Sequence, residues 1–341
     1  MDITTSLKAL NKSLKLDDAN GFQMGIKYED MPRIKFSSPE LNYMTYGGLP
    51  QVGIVEFYGD EGSGKTTMAL DIIKNYQSMD NGRNVLYVDA ENKLDRDWAI
   101  KLGVDVDNLI FYQPGNGTYC EMIFDNVVKI LEDENLNIGL CVFDSIASLL
   151  SKKEVDNDSF EDKVYCGIAG IMATVSKKLS MLVKSRKILF IGINQKRDDL
   201  SGFNLDKTPG GRTWKFFCIA RLGFRRGKFI DENNNELTSN CENPAGHIIE
   251  VRLAKNQMCS NDRRIGHTYL KYMDGIDYIS GIVEIAMKNG RIKQAGAWYS
   301  IVNTETGEIL TDVDGTLLKF QGKTALNTYI KEHKDLQDTL S

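Results

Sequence analysis

Residues 52–67 read Val-Gly-Ile-Val-Glu-Phe-Tyr-Gly-Asp-Glu-Gly-Ser-Gly-Lys-Thr-Thr, and this stretch decides the fold. Val52 to Tyr58 is an apolar run that predicts a buried strand. Gly59, Asp60, Glu61, Gly62, Ser63, Gly64, Lys65, Thr66 and Thr67 complete a G-x-x-x-x-G-K-T pattern. Met68, Ala69, Ile72 and Ile73 then mark one side of a helix. Strand, glycine-rich loop and helix together form the context that a P-loop requires. The glycines let backbone N–H groups turn inward around phosphate oxygens, and the helix N-terminus adds partial positive charge. Lys65 is then placed to reach the β- and γ-phosphates, and the Thr66 hydroxyl to coordinate Mg²⁺. The stretch predicts a nucleoside triphosphate site.

Working outward, apolar runs alternate with helical patterns. Strands are expected at 84–89, 109–112, 138–144 and 188–194, with helices near 96–102, 121–132 and 167–184 between them. That alternation predicts an α/β fold with a mostly parallel sheet covered on both faces. Ligands of such sheets sit at the carboxyl ends of the strands. Glu91, Asp144 and Gln195 all fall at strand ends on the edge that carries the P-loop. Asp144 follows four apolar residues, as a Walker B acid does. Glu91 is the candidate for deprotonating an attacking water. Gln195 closes a strand where a polar loop begins, a position from which it can sense the γ-phosphate.

From Phe217 onward the pattern changes to strands, at 217–224, 248–253 and 269–273, with a polar loop at 231–243. A small mixed unit follows from about 276, with helices near 282–288 and 324–333. At the other end, Leu7, Leu10, Leu14 and Leu16 suggest a short amphipathic helix within the first 20 residues. So short a helix needs something to pack against.

Composition bounds the classes. No apolar run approaches the length of a membrane span and no signal-peptide pattern opens the chain, so a cytoplasmic protein is expected. The six cysteines are scattered and read as reduced core thiols, and the three histidines are too dispersed to suggest a metal site. Net charge is −5, so any nucleic-acid surface must be local. Residues 196–228 qualify, with nine Lys or Arg against three Asp.

The order of motifs resembles that of RecA-type homologous recombinases of bacteria and bacteriophages. The matching stretches are GGLPQVGIVEFYGDEGSGKTT, VDAENKLD, KLGVDVDNL, VFDSIASL, INQKR, TPGGRTWKF and QAGAWYS, spanning roughly residues 40–300. The resemblance implies a RecA-like P-loop NTPase core with a short N-terminal helix and a small mixed α/β C-terminal domain. It places an N-terminal oligomerisation segment at 1–40, the core at 41–275 and the small domain at 276–341. It implies ATP and Mg²⁺ as cofactors, with Glu91 as catalytic glutamate, Thr66 and Asp144 at the metal, and Asp95 and Trp98 against adenine. Trp98 stands where the family usually stacks a tyrosine.

The family's two DNA-binding loops fall at about 154–166 and 196–211. The second holds Lys196, Arg197, Phe203, Lys207, Gly210, Gly211 and Arg212, an aromatic among cations and glycines that suits single-stranded DNA. The first is acidic, and the family's arginine just inside the next helix has no clear counterpart near Ile171. Lys255 matches a residue that reaches a neighbouring subunit's nucleotide. Gln257 stands where a second lysine is expected, which leaves Lys255 alone or with Arg263 or Arg264. The implied activity is an ATP-dependent recombinase that forms filaments on single-stranded DNA and exchanges strands with a homologous duplex. The other reading is a RecA-fold regulatory or loader ATPase without strand exchange.

Overall fold

The computed structural model describes residues 2–16, 21–22, 24, 32–157, 167–197 and 207–340. The chain divides into two compact units, Met1–Pro32 and Arg33–Ser341. In the first, α1 (Ile3–Ser13) buries none of its residues, and Ile3, Leu10 and Leu14 stay exposed. The helix is shorter than the leucine spacing predicts: Leu14 caps it and Leu16 lies beyond.

The second unit opens with α2 (Pro39–Met44), capped by the Ser38 hydroxyl, which accepts from Leu41 N–H. The core elements follow: β1 (Gly53–Gly59), α3 (Lys65–Gln77), β2 (Asn84–Asp89), α4 (Arg96–Lys101), β3 (Leu109–Tyr112) and α5 (Cys120–Glu132). Next come β4 (Ile138–Asp144), α6 (Lys152–Val155), α7 (Ala169–Ser185), β5 (Leu189–Gln195), α8 (Gly211–Phe217), β6 (Ala220–Ile230), β7 (Gly246–Asn256), β8 (Ile265–Lys271) and β9 (Gly275–Ile276). The C-terminal part holds α9 (Tyr278–Lys288), β10 (Ile292–Ala295), β11 (Trp298–Ile301), β12 (Lys319–Gln321), α10 (Lys323–Glu332) and α11 (Lys334–Leu340).

Nine strands form one sheet in the order β3-β2-β4-β5-β1-β6-β7-β8-β9. The pairs from β3 through to β6 are parallel and the last three antiparallel. The apolar runs are explained by burial on both faces. Along β4, Leu140 and Val142 enter the core beneath α3, while Cys141 and Phe143 enter a second core beneath α5 and α7. A third core joins α9, α10 and α11 to the antiparallel sheet β10-β11-β12.

Two local expectations change. A strand was expected from Phe217; residues 211–217 instead form α8, because Gly210 and Gly211 take φ of +93° and +77° and turn the chain into a helix first. The first expected loop, at about 154–166, opens within the last turn of α6, which is nucleated by a capping box between Ser151 and Glu154. Cys120, Cys141 and Cys218 are buried free thiols, and Cys241 and Cys259 are free and partly exposed; Cys166 lies outside the described residues. No helix among the described residues is long and apolar enough to cross a membrane.

Candidate nucleotide site

Four neighbouring parallel strands, β2, β4, β5 and β1, end along one edge. Register sets the alignment: Asp89 pairs with Asp144 and Gln195 pairs with Gly59. The P-loop leaves that edge from β1. A Cβ on Gly59 would stand 2.2 Å from the Phe224 carbonyl oxygen, and one on Gly64 would stand 2.5 Å from Ile249 Cδ1. Gly62 and Gly64 have φ of +67° and +90°. Gly59 is required for space, Gly62 for backbone angle and Gly64 for both, and together they aim the N-terminus of α3 at the edge.

Lys65 is buried and donates from Nζ to the Asp60 carbonyl at 2.6 Å. Burial pulls its pKa down, opposed by the charges of Asp144, Glu91, Asp60 and Glu61. Thr66 Oγ1 donates to Asp144 Oδ2 at 2.8 Å, and the Tyr87 hydroxyl donates to the same oxygen at 3.0 Å. Burial nevertheless pushes the Asp144 carboxyl up to about 6. Thr66 and Asp144 thus form a compact oxygen donor set of the kind that suits Mg²⁺.

Glu91 is held above Asp144, since the Ala90 and Glu91 N–H groups donate to the Asp144 carbonyl at 2.6 and 3.2 Å. Its Oε1 accepts from Gln195 Nε2 at 3.1 Å and from the Ser145 hydroxyl. Its Oε2 lies 3.4 Å from Lys93 Nζ. Buried Asp89 fixes the turn beneath by accepting from the N–H groups of Lys93 and Leu94. Lys65, Thr66, Glu91, Asp144 and Gln195 are therefore brought together.

A cavity of about 390 Å³ opens beside the P-loop, lined by Gly62 to Thr67 and by Trp98, His247, Leu270 and Tyr272. Trp98 donates from Nε1 to Thr67 Oγ1 at 3.3 Å. Asp95 is not in the lining. Its Oδ1 caps α4 by accepting from Trp98 N–H at 3.0 Å. Lys255 is also elsewhere. It pairs across the sheet with Arg221, below the P-loop edge, and its Nζ donates to the carbonyls of Lys215 and Phe216 at the end of α8.

Past Gln195, Lys196 N–H donates to the Gly59 carbonyl, and Arg197 N–H to the Lys207 carbonyl. The two roots of the expected second DNA loop are thus joined, with Arg197, Lys207 and Arg212 exposed. Phe203 lies outside the described residues, as do residues 158–166 of the first loop. In the described part of the first loop, Glu154 is engaged by Ser151 and Asp156 by Lys152.

Tyr87, Ser145 and Tyr272 escaped the sequence reading, as did two buried groups. One is His247. The other is Glu56, fully buried on β1. Its Oε1 accepts from Asn194 Nδ2 at 2.8 Å, Thr208 Oγ1 at 3.1 Å and Trp214 Nε1 at 3.1 Å, while Oε2 pairs with Arg221. Asn194 also accepts from Gln195 N–H at 3.0 Å, so this knot seats Gln195 and the far root of the loop together. An acid in the middle of an apolar strand was the signal available for it.

A parallel sheet with a P-loop and a carboxylate pair at its carboxyl edge defines a P-loop nucleotide-binding protein. The model of the RecA N-terminal domain matches residues 23–277. Protein RecA of Streptomyces venezuelae is 31% identical over 297 residues, covering 86% of this chain and 70% of that one. Protein RecA of Lactobacillus johnsonii is 31% identical over 295 residues, covering 86% and 73%. The crystal structure of the RadB recombinase aligns with a TM-score of 0.49 at 20% identity, over 70% of this chain and 95% of that one. The chain belongs to the RecA family.

Proposed function

We propose that this chain is an ATP-dependent DNA recombinase that forms filaments on single-stranded DNA and exchanges strands with a homologous duplex in recombination and repair. The observation that carries the reading is the 3.1 Å contact between Gln195 Nε2 and Glu91 Oε1. It joins the candidate base to the last residue before the basic segment 196–211. That segment and the N-terminal amphipathic helix are the features a regulatory ATPase would not need.

In this reading the P-loop N–H groups and Lys65 hold the phosphates, and Thr66 with Asp144 holds Mg²⁺. Mg²⁺ held there would neutralise phosphate charge. Glu91 accepts the proton of the attacking water, oriented by Ser145 and Gln195. Trp98 faces the base. Asp95 acts as a helix cap that positions Trp98. Lys196, Arg197, Lys207 and Arg212 hold DNA phosphates, Phe203 stacks on a base, and Gly210 and Gly211 supply the turn at the loop's far root. Lys255 acts on the adjoining subunit of a filament. Residues 1–40 serve assembly, with the exposed leucine face of α1 as the docking side. Residues 41–275 carry the ATPase, 276–341 gather duplex DNA, and the protein works in the cytoplasm.

The test is electron microscopy of the chain with ATP and single-stranded DNA, beside ATPase assays across a salt series. Helical filaments, DNA-stimulated turnover and steep salt dependence are expected. Turnover indifferent to DNA, without filaments, would replace this reading with the regulatory ATPase.

A further inference from the structure

His247 lies on β7 two residues before Ile249, the side chain that fills the space beside Gly64. Alternation along a strand puts both on the face toward the P-loop. The imidazole is 5% exposed, its Nδ1 is 3.0 Å from the Tyr272 hydroxyl, and its buried Nε2 has no hydrogen-bond partner. Burial, with Arg226 nearby, pushes the ring's pKa down to about 4, so it is neutral at neutral pH and presents one donor and one acceptor nitrogen. A buried polar atom left unpaired costs free energy comparable to a lost hydrogen bond. This one belongs to a ring that lines the cavity of the P-loop.

That cavity has two chemically different kinds of lining. Gly62 to Thr67 are the P-loop, while Trp98, Tyr272, Leu270 and His247 contribute rings and one aliphatic side chain. A flat heterocycle and its sugar fit among such side chains, where a single directed polar group fixes orientation. We propose that His247 Nε2 hydrogen-bonds the nucleoside half of the nucleotide whose phosphates the P-loop holds, with Tyr272 setting the ring's orientation. His247 is then a specificity-determining residue. The inference rests on the nucleotide-binding reading above and adds to it a contact that neither Asp95 nor Trp98 supplies.

Equilibrium calorimetry of the full chain with ATP, 2′-deoxy-ATP and inorganic tripolyphosphate, in Mg²⁺, tests it without turnover. His247→Phe keeps a flat ring and removes the nitrogens, and His247→Gln returns a donor and an acceptor. His247→Leu serves if the Phe chain does not fold. The Phe variant is expected to weaken ATP binding about tenfold, leaving tripolyphosphate unchanged, with Gln recovering most of the loss. A loss confined to ATP puts the contact on the 2′-hydroxyl, and an equal loss with 2′-deoxy-ATP puts it elsewhere on the nucleoside. Unchanged ATP affinity in the Phe variant, or equal loss of ATP and tripolyphosphate, overturns the role of His247. An unaltered chain that binds none of the three overturns the nucleotide reading itself.

Discussion

Two buried charged clusters lie in the same sheet, one in mid-strand and one at the carboxyl edge, and they are built in opposite ways. At Glu56 a fully buried carboxylate is surrounded by Asn194, Thr208, Trp214 and Arg221, and the Arg221 guanidinium also stacks 4.5 Å from the Tyr58 ring. At the P-loop edge, Asp144 accepts from two neutral hydroxyls and its pKa stays raised, while that of Lys65 stays lowered. The first cluster is closed and has the properties of architecture. The second keeps charge that its own neighbours do not neutralise, which is what a site for a charged ligand requires. Burial alone therefore does not separate structural from functional charge; completeness of pairing does.

The largest expected effect breaks the closed cluster. Arg221→Ala leaves Glu56 buried without its cation and should cost about 3–5 kcal/mol of stability in urea melts. A loss under about 1 kcal/mol would show that the knot is less closed than its geometry. At the open site, Glu91→Gln should lower ATP turnover about 10²–10⁴-fold while ATP affinity holds, because only proton transfer is removed. Lys65→Ala should instead lose binding. Calorimetry beside steady-state kinetics separates the two, and parallel loss of binding in both would remove Glu91 from the role of base.

The third effect has the opposite sign. Burial raises the Asp144 carboxyl from 3.8 to about 6, so the folded state favours its neutral form. The associated stability is fully present below the unfolded value and is lost as pH rises through about 6. Each tenfold change in a protonation equilibrium is worth about 1.4 kcal/mol. Asp144→Asn should thus stabilise the nucleotide-free chain by about 2–3 kcal/mol near pH 8. Near pH 4 the two chains should melt together. An Asn variant less stable at both pH values would mean that Asp144 is paired as fully as Glu56 is.

The smallest effect lies where the clusters meet. Gln195 is tied to the knot through Asn194 and to the open site through Glu91. Gln195→Ala should leave ATP affinity nearly intact and remove about 1–3 kcal/mol of coupling between ATP and DNA. DNA affinity measured with and without a non-hydrolysable ATP analogue reads that coupling directly. Coupling preserved in the variant would sink the link.

Strand and helix positions in the core were legible because period and composition agree: apolar runs of six or seven residues, bounded by acids or glycines, have few other readings. The strand expected from Phe217 begins instead at Ala220, after a helix for which 212–216 carried no local signal, since Trp214 is held there by Glu56, 158 positions away in the chain. The small C-terminal sheet was barely visible, since its strands are three or four residues long and mostly exposed. Among the candidate site residues, the meeting of Lys65, Thr66, Glu91, Asp144 and Gln195 at one edge was legible because each ends or follows a strand of one parallel sheet. Asp95 and Trp98 came through resemblance, and there the structure divides them, Trp98 to the cavity and Asp95 to the cap of α4.

The P-loop, the α/β order and the family are written in local chemistry and in the spacing of motifs, and both can be read along the chain. Which carboxylates are neutralised, and that His247 Nε2 is left unpaired, follow from packing between distant elements. Glu56 is satisfied by donors from elements distant in the chain, and His247 faces the P-loop only because β7 folds back beside β6. Pairing of that kind is set by distance in space, and period, composition and motif report distance along the chain.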